Sequence, residues 1–372
     1  MNYKFLELLK NQFCEHWEST AGNVYNDTRK DSFHHSLQLI KENLSGREIS
    51  PTMPVNDMRF LALFLDRFSH WTSVLNSNVE GVQHSEVYCC LDKILAEWLQ
   101  NRYNDYILML SEGDYLIQYP LCELSVQNSL AANFNSSFSH QIVDIRMPKY
   151  LFGDVFSNVS LFHEAGHFVD YVYKYHDRVL RKLDGLFTDG QTCPTLIQQS
   201  FPYLDTTGYD QTRDEPKILR HLKEYIADLF GAQYVGLNVI NYVAWKEDNR
   251  LDQEDEDHPC FNCREAIINT FLGGGTDNLL LNVIKEAFHE VQKGELEIRF
   301  LNLSHQFFIE DKAYPIGSDA ELFSIFKLAW DCYQDGTDSF NATIPAGHAR
   351  LNMNDLYLRL TRLVKESINA YI

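Results

Sequence analysis

Apolar residues recur at helical spacing through the first 118 positions. Phe60-Leu61-Ala62-Leu63-Phe64-Leu65 and Leu91-Asp92-Lys93-Ile94-Leu95-Ala96-Glu97-Trp98-Leu99 are examples, and the spacing predicts helices there. A turn is expected around Ser50-Pro51-Thr52-Met53-Pro54. The pattern changes between 120 and 150. Leu121, Leu124 and Val126 begin a strand-like stretch. Next, His140-Gln141-Ile142-Val143-Asp144-Ile145-Arg146-Met147 alternates apolar and polar positions until Pro148 ends it, so a small sheet is expected. Asp154 suits the N-cap of a helix over 155–176. A variable connection with Gly185, Gly190, Pro194 and Pro202 follows, and Pro216 marks the start of a second long helix over 215–244. The acidic run from Glu247 to Asp257 reads as a solvated, mobile loop. Gly273-Gly274-Gly275 separates two further helical segments, and a last helix is expected over 354–370. The class is therefore α+β and predominantly helical, with a small sheet and two long helices.

Composition narrows the function. The 372 residues are 45% hydrophobic and 23% charged, enough for a sizeable core. Asp plus Glu number 52 against 32 Lys plus Arg, a net charge of −20. Such a surface repels nucleic acid and acidic membranes, and no apolar stretch approaches the length of a membrane span. The eight cysteines are scattered, and charges interrupt the apolar run of Met1-Asn2-Tyr3-Lys4-Phe5-Leu6-Glu7-Leu8-Leu9-Lys10. No leader is expected, and reduced thiols in the cytoplasm are the expectation.

The chemistry concentrates in His163-Glu164-Ala165-Gly166-His167. Residues four apart share a helix face, so both imidazoles can reach one metal ion. Glu164 stands beside the first of them, where its carboxylate can reach a metal-bound water. A catalytic zinc needs three protein ligands and an open position. A third histidine or aspartate of the metzincin kind would follow six residues after His167, where Tyr173 stands, with a glycine at the position of Asp170. That reading fails. Asp170 lies on the same stripe but two turns from His163, too far to share an ion, and is either a support for the site or a surface carboxylate. Glu224 and Asp228, in Lys223-Glu224-Tyr225-Ile226-Ala227-Asp228, point the same way from the second long helix. Glu224 could complete the set, and Asp228 could fix the tautomer of a zinc-bound histidine. The competing reading is an exposed acidic face.

His-Glu-x-x-His followed by a helical Glu-x-x-Ala-Asp resembles the gluzincin metallopeptidases, and the Ala-Asp form is most similar to the group of CAAX prenyl endopeptidases and HtpX heat-shock proteases. That group commonly carries His-Pro, four residues, then Arg. Here His258-Pro259-Cys260-Phe261-Asn262-Cys263-Arg264 has that spacing. The resemblance spans roughly 140–270. It implies a zincin-like core, zinc held by His163, His167 and Glu224, Glu164 as the base and Asp228 behind the ligands. It also implies that His258 and Arg264 organise the site or stabilise an oxyanion. It implies a protein or peptide substrate, with a strand over 141–146 pairing an extended peptide. The membrane spans of that group are missing, so membrane-embedded substrates are not expected. The expected organisation is a helical accessory region over 1–118, the metallopeptidase core over 119–300 and a mostly helical region over 301–372. A regulatory partner is expected to act through the first of these.

Two other functions remain open on the same residues: a zinc hydrolase of non-peptide amides, and a helical interaction or regulatory protein with a degenerate zincin domain. Cys260 and Cys263 lack a second Cys-x-x-Cys for a structural zinc and lack a thioredoxin-like context, so they read as ordinary thiols. His176 and His221 flank the motif helices and are read as core or surface residues that could also line the cleft.

Overall fold

The computed structural model describes residues 3–25, 27–77, 86–113, 116–118, 128–129, 131–187, 194–204, 209–241, 254–346 and 348–372. The strand-like stretch expected from Leu121 lies outside these, as do Cys122, Cys193 and the greater part of the acidic loop.

Two compact units form, and they interleave along the chain. One comprises Met1–His84 with Asn101–Lys149, the other Ser85–Gln100 with Tyr150–Ile372. In the first, α1 (Tyr3–Glu18), α2 (Thr28–Ser45) and α3 (Val55–Asn76) accompany a three-stranded sheet. Their buried aromatic side chains Phe13, Phe33, Phe68 and Trp71, with Phe138 from the segment before the last strand, join Ile107 and Ile142 of the sheet in one core. Asp27 begins α2 by accepting the Arg29 N–H at 2.8 Å, and the Arg29 guanidinium returns to the same carboxylate.

The helical reading of the first 118 residues breaks at Tyr106–Glu112, which is strand β1. Its run Tyr-Ile-Leu-Met-Leu is buried on both faces, and such a run has no alternation to distinguish it from a buried helix. The strand expected over 141–146 is present as β3 (Gln141–Met147). It pairs in parallel with β1, Ile107 opposite Ile142, and antiparallel with β2 (Leu116–Gln118), Ile117 opposite Ile145. The order β1-β3-β2 makes β3 the central strand. Its backbone is already engaged on both sides over 144–146, so this stretch is not a free edge for an incoming peptide.

The second unit contains α4 (Glu86–Leu99), α5 (Ser160–Tyr173), α6 (Tyr175–Leu183), α7 (Gln211–Val235), α8 (Phe261–Leu272), α9 (Leu279–Val291), α10 (Asp319–Gln334) and α11 (Met353–Tyr371), with shorter helical turns between them. Every residue of α7 from Tyr225 to Val235 is buried, the mark of a helix surrounded by others. Around it the large indoles keep their polar atoms satisfied. Trp98 donates to the Tyr234 hydroxyl at 2.7 Å, and Trp330 donates to the Phe156 carbonyl at 3.1 Å.

The boundaries of the two motif helices are set by caps. Asp154 does cap a helical start, accepting the N–H groups of Phe156 and Ser157, but the first turn is 3-10 and the α-helix begins at Ser160. It stops at Lys174, which adopts a left-handed conformation, φ 57°, and a separate helix follows. The second motif helix starts at Gln211, earlier than Pro216 suggested, because Asp210 accepts the Arg213 N–H at 3.0 Å. Pro216 is therefore inside the helix, just past the first turn. The helix ends at Gly236, φ 63°, where a residue with a side chain would be strained. The last helix has a full capping box between Asn352 and Asp355.

Candidate metal centre

The two motif helices run antiparallel at very close range. A methyl group on Gly166 of α5 would lie 2.7 Å from the Ala227 Cα of α7, and one on Gly231 would lie 3.1 Å from the His163 backbone nitrogen. Only residues without bulk at these points let the backbones approach this closely. The contacts order His163 opposite Gly231 and Gly166 opposite Ala227, and this register places His167 opposite Glu224.

The result is a three-residue group able to hold a metal ion. One ligand atom from each of His163, His167 and Glu224 lies within 4.8 Å of the others. His163 Nε2 is 3.4 Å from one Glu224 oxygen, and His167 Nε2 is 3.1 Å from the other. The two imidazole rings stand at 90° with centroids 4.6 Å apart. All three side chains are largely enclosed, between 12% and 17% exposed. Two imidazoles and one carboxylate suit zinc.

Behind the group lies a buried cluster of charged side chains. The Asp228 side chain, fully enclosed, sits 2.8 Å from His163 Nδ1. Were a metal held here, Nδ1–H would donate to this carboxylate and leave Nε2 to ligate. Arg264 of α8 donates Nε to Asp228 Oδ2 and Nη2 to Oδ1, both at 2.7 Å, and its Nη2 is 3.6 Å from Glu224. Burial alone would push both carboxyls up. The Arg264 guanidinium overrides it at Asp228, and the two histidines override it at Glu224, so both carboxyls are held below the usual range. Burial pulls the His163 imidazolium down, yet its bonds to Asp228 and Glu224 push it up to about 10.

The other candidates from the sequence have different surroundings. Asp170 is buried and anchors the corner after α5. Its carboxylate accepts the His176 N–H at 2.9 Å and sits 2.5 Å from His176 Nδ1. Neither Asp170 nor His176 belongs to the metal group. His221 is fully buried against Phe201 and Tyr203, with Nε2 3.1 Å from the Asp255 carbonyl. His258 is half exposed, and its Nδ1 lies 3.3 Å from the Asp255 carboxylate. The structure does not bring it into the group that holds His163, His167 and Glu224. The described end of the acidic loop is held, not free. Glu254 is 3.8 Å from Lys217, while Glu256 and Asp257 both pair with Arg220.

Sequence reasoning missed the small residues that create the site. The sign was there: Gly166 and Ala227 each lie inside a motif, and their lack of bulk is what the helix crossing requires. Tyr225 was also missed. Its hydroxyl donates to the Ser200 carbonyl at 2.6 Å and pins α7 beside Glu224.

No family model matches this chain, and neither a curated protein nor a solved structure matches it. Among the described residues, no helix is long and apolar enough to cross a membrane.

Proposed function

We propose that the chain is a zinc-dependent metallopeptidase of the gluzincin type, cleaving peptide bonds in a protein or peptide substrate. One observation carries the reading. Two histidine nitrogens and a carboxylate from facing helices converge within 4.8 Å, and a buried carboxylate orients the first histidine. Nothing in an ordinary amphipathic helix pair demands that convergence, and an exposed acidic face would not enclose Glu224 and Asp228.

A zinc ion in this group would polarise the scissile carbonyl and lower the pKa of the attacking water. Glu164 follows His163 directly on α5. In this reading its carboxylate takes the proton from the water and passes it to the departing amine nitrogen. Asp228 keeps the His163 imidazole in one tautomer and one orientation. Arg264 keeps Asp228 ionised and in place, which makes it a positioning residue whose guanidinium is committed to Asp228 and Glu224. His258, on an exposed turn and facing Asp255, is given no part in this reading.

The test is Glu164→Gln, compared with the unmodified chain for metal content and for cleavage of a peptide library. The variant is expected to keep its zinc and lose roughly 10²–10⁴ in rate. Full activity in the variant would remove Glu164 from the mechanism and the metallopeptidase reading with it.

A further inference from the structure

Two thiols meet where α8 begins. Cys260 is the residue before Phe261, and its carbonyl accepts the N–H groups of Cys263 at 3.1 Å and Arg264 at 3.2 Å. This turn brings the Cys260 and Cys263 sulfurs to 2.6 Å. Cys260 is buried and Cys263 is partly exposed. Among the described residues they belong to no group of three or more ligands that could hold a metal. Arg264, the residue after Cys263, is the arm that holds Asp228.

We propose that Cys260 and Cys263 form a redox-active dithiol that closes to a disulfide by exchange with a low-molecular-weight disulfide, stapling the first turn of the helix that supplies Arg264. The sulfur chemistry stands apart from the metallopeptidase reading; only its consequence for the metal centre rests on it. Cys263 is the more exposed sulfur and attacks first. Its thiolate displaces one RS⁻ from R–S–S–R, leaving a mixed disulfide, and the RS⁻ takes up a proton. Cys260 then loses its proton, attacks the Cys263 sulfur and expels the second RS⁻, which is protonated in turn. Two protein thiols and one R–S–S–R become one protein disulfide and two R–SH, so both electrons and both protons pass to the oxidant. The adjacent Cys260 thiol, together with burial, pushes the Cys263 thiol up, so the exchange is slow at neutral pH and quickens as pH rises.

The test uses the full chain incubated with glutathione disulfide, then alkylated, digested and weighed. The peptide carrying Cys260 and Cys263 is expected to lose both alkylation sites, become lighter by two hydrogens, and recover both sites with dithiothreitol. Cys260→Ser is expected to trap the mixed disulfide on Cys263. Amide exchange over residues 261–264 is expected to slow several-fold in the oxidised chain. Both sulfurs remaining open to alkylation after oxidant, or either one cross-linked to a different cysteine, would overturn the pair. Unchanged amide exchange in a fully formed disulfide would overturn the staple. Zinc protecting both sulfurs without oxidant, in a Glu224→Ala chain, would overturn the proposal in favour of metal ligation. None of these outcomes depends on peptide cleavage, so the dithiol and the metallopeptidase can fail separately.

Discussion

Arg264 closes on Asp228 with a two-point grip, Nε on one carboxylate oxygen and Nη2 on the other, each at 2.7 Å. The same Asp228 Oδ1 faces His163 Nδ1 at 2.8 Å. Three charged or polar groups are thus buried together, and each compensates the others' loss of water. Replacing Arg264 with Met leaves the enclosed Asp228 without its strongest partner. The expected cost is about 3–5 kcal/mol in chemical denaturation, with weakened metal binding. A cost below about 1 kcal/mol would mean that the grip does not hold this corner.

Asp228→Asn separates orientation from charge. The amide preserves the shape of the side chain but no longer favours Nδ1–H on His163 as a carboxylate does. Zinc affinity, measured by competition with a chromophoric chelator, is expected to fall about 10–100-fold, with the helical content unchanged. Unaltered affinity would show that His163 needs no partner behind it.

The close crossing of α5 and α7 makes a sharper claim about packing. Gly166→Ala drives a methyl into the Ala227 backbone, which cannot yield without parting the helices. We expect a loss of about 1–3 kcal/mol, accompanied by reduced metal content as His163 and His167 withdraw from Glu224. Gly185→Ala is the control, since a methyl there meets nothing within 4 Å. Equal thermal midpoints for the two variants would contradict the crossing.

His221 gives the fold a response to acid. Burial, helped by the nearby Lys217, outweighs the Asp255 carbonyl and carboxylate and Glu224, and lowers its pKa from 6.5 to about 4. Tyr203 is the remaining titratable ring against it. The proton therefore prefers the unfolded chain. The contribution of the neutral ring is complete above about pH 6.5 and is lost as pH falls toward about 4, up to roughly 3 kcal/mol. Urea midpoints at about pH 7 and about pH 5 should differ more for the unmodified chain than for His221→Phe. Equal differences would assign the acid response to other groups.

Much of the centre is legible in the sequence. His163, His167, Glu224 and Asp228 obey the four-residue spacing of a helix face, and that periodicity survives whatever the helices later pack against. The α+β class and strand β3 followed from alternation for the same reason. Strand β1 was not legible, because Tyr-Ile-Leu-Met-Leu is buried on both faces and carries no period. The start of α7 was misplaced because a proline is a conspicuous signal, while the Asp210 cap that sets the boundary is one side chain among many acidic ones. The embrace of Asp228 by Arg264 joins residues 36 positions apart, and helical periodicity does not carry information across that distance. The meeting of the Cys260 and Cys263 sulfurs depends on the backbone turn before α8, which the sequence around Pro259 left open.

The most direct test of the account is the metal content of the purified chain beside that of Glu224→Ala. About one zinc per chain in the unmodified protein is expected, lost or greatly reduced in the variant while the helical content is retained. No zinc in the unmodified chain, even after zinc is supplied, would contradict the centre itself and leave the convergence of His163, His167 and Glu224 without a function.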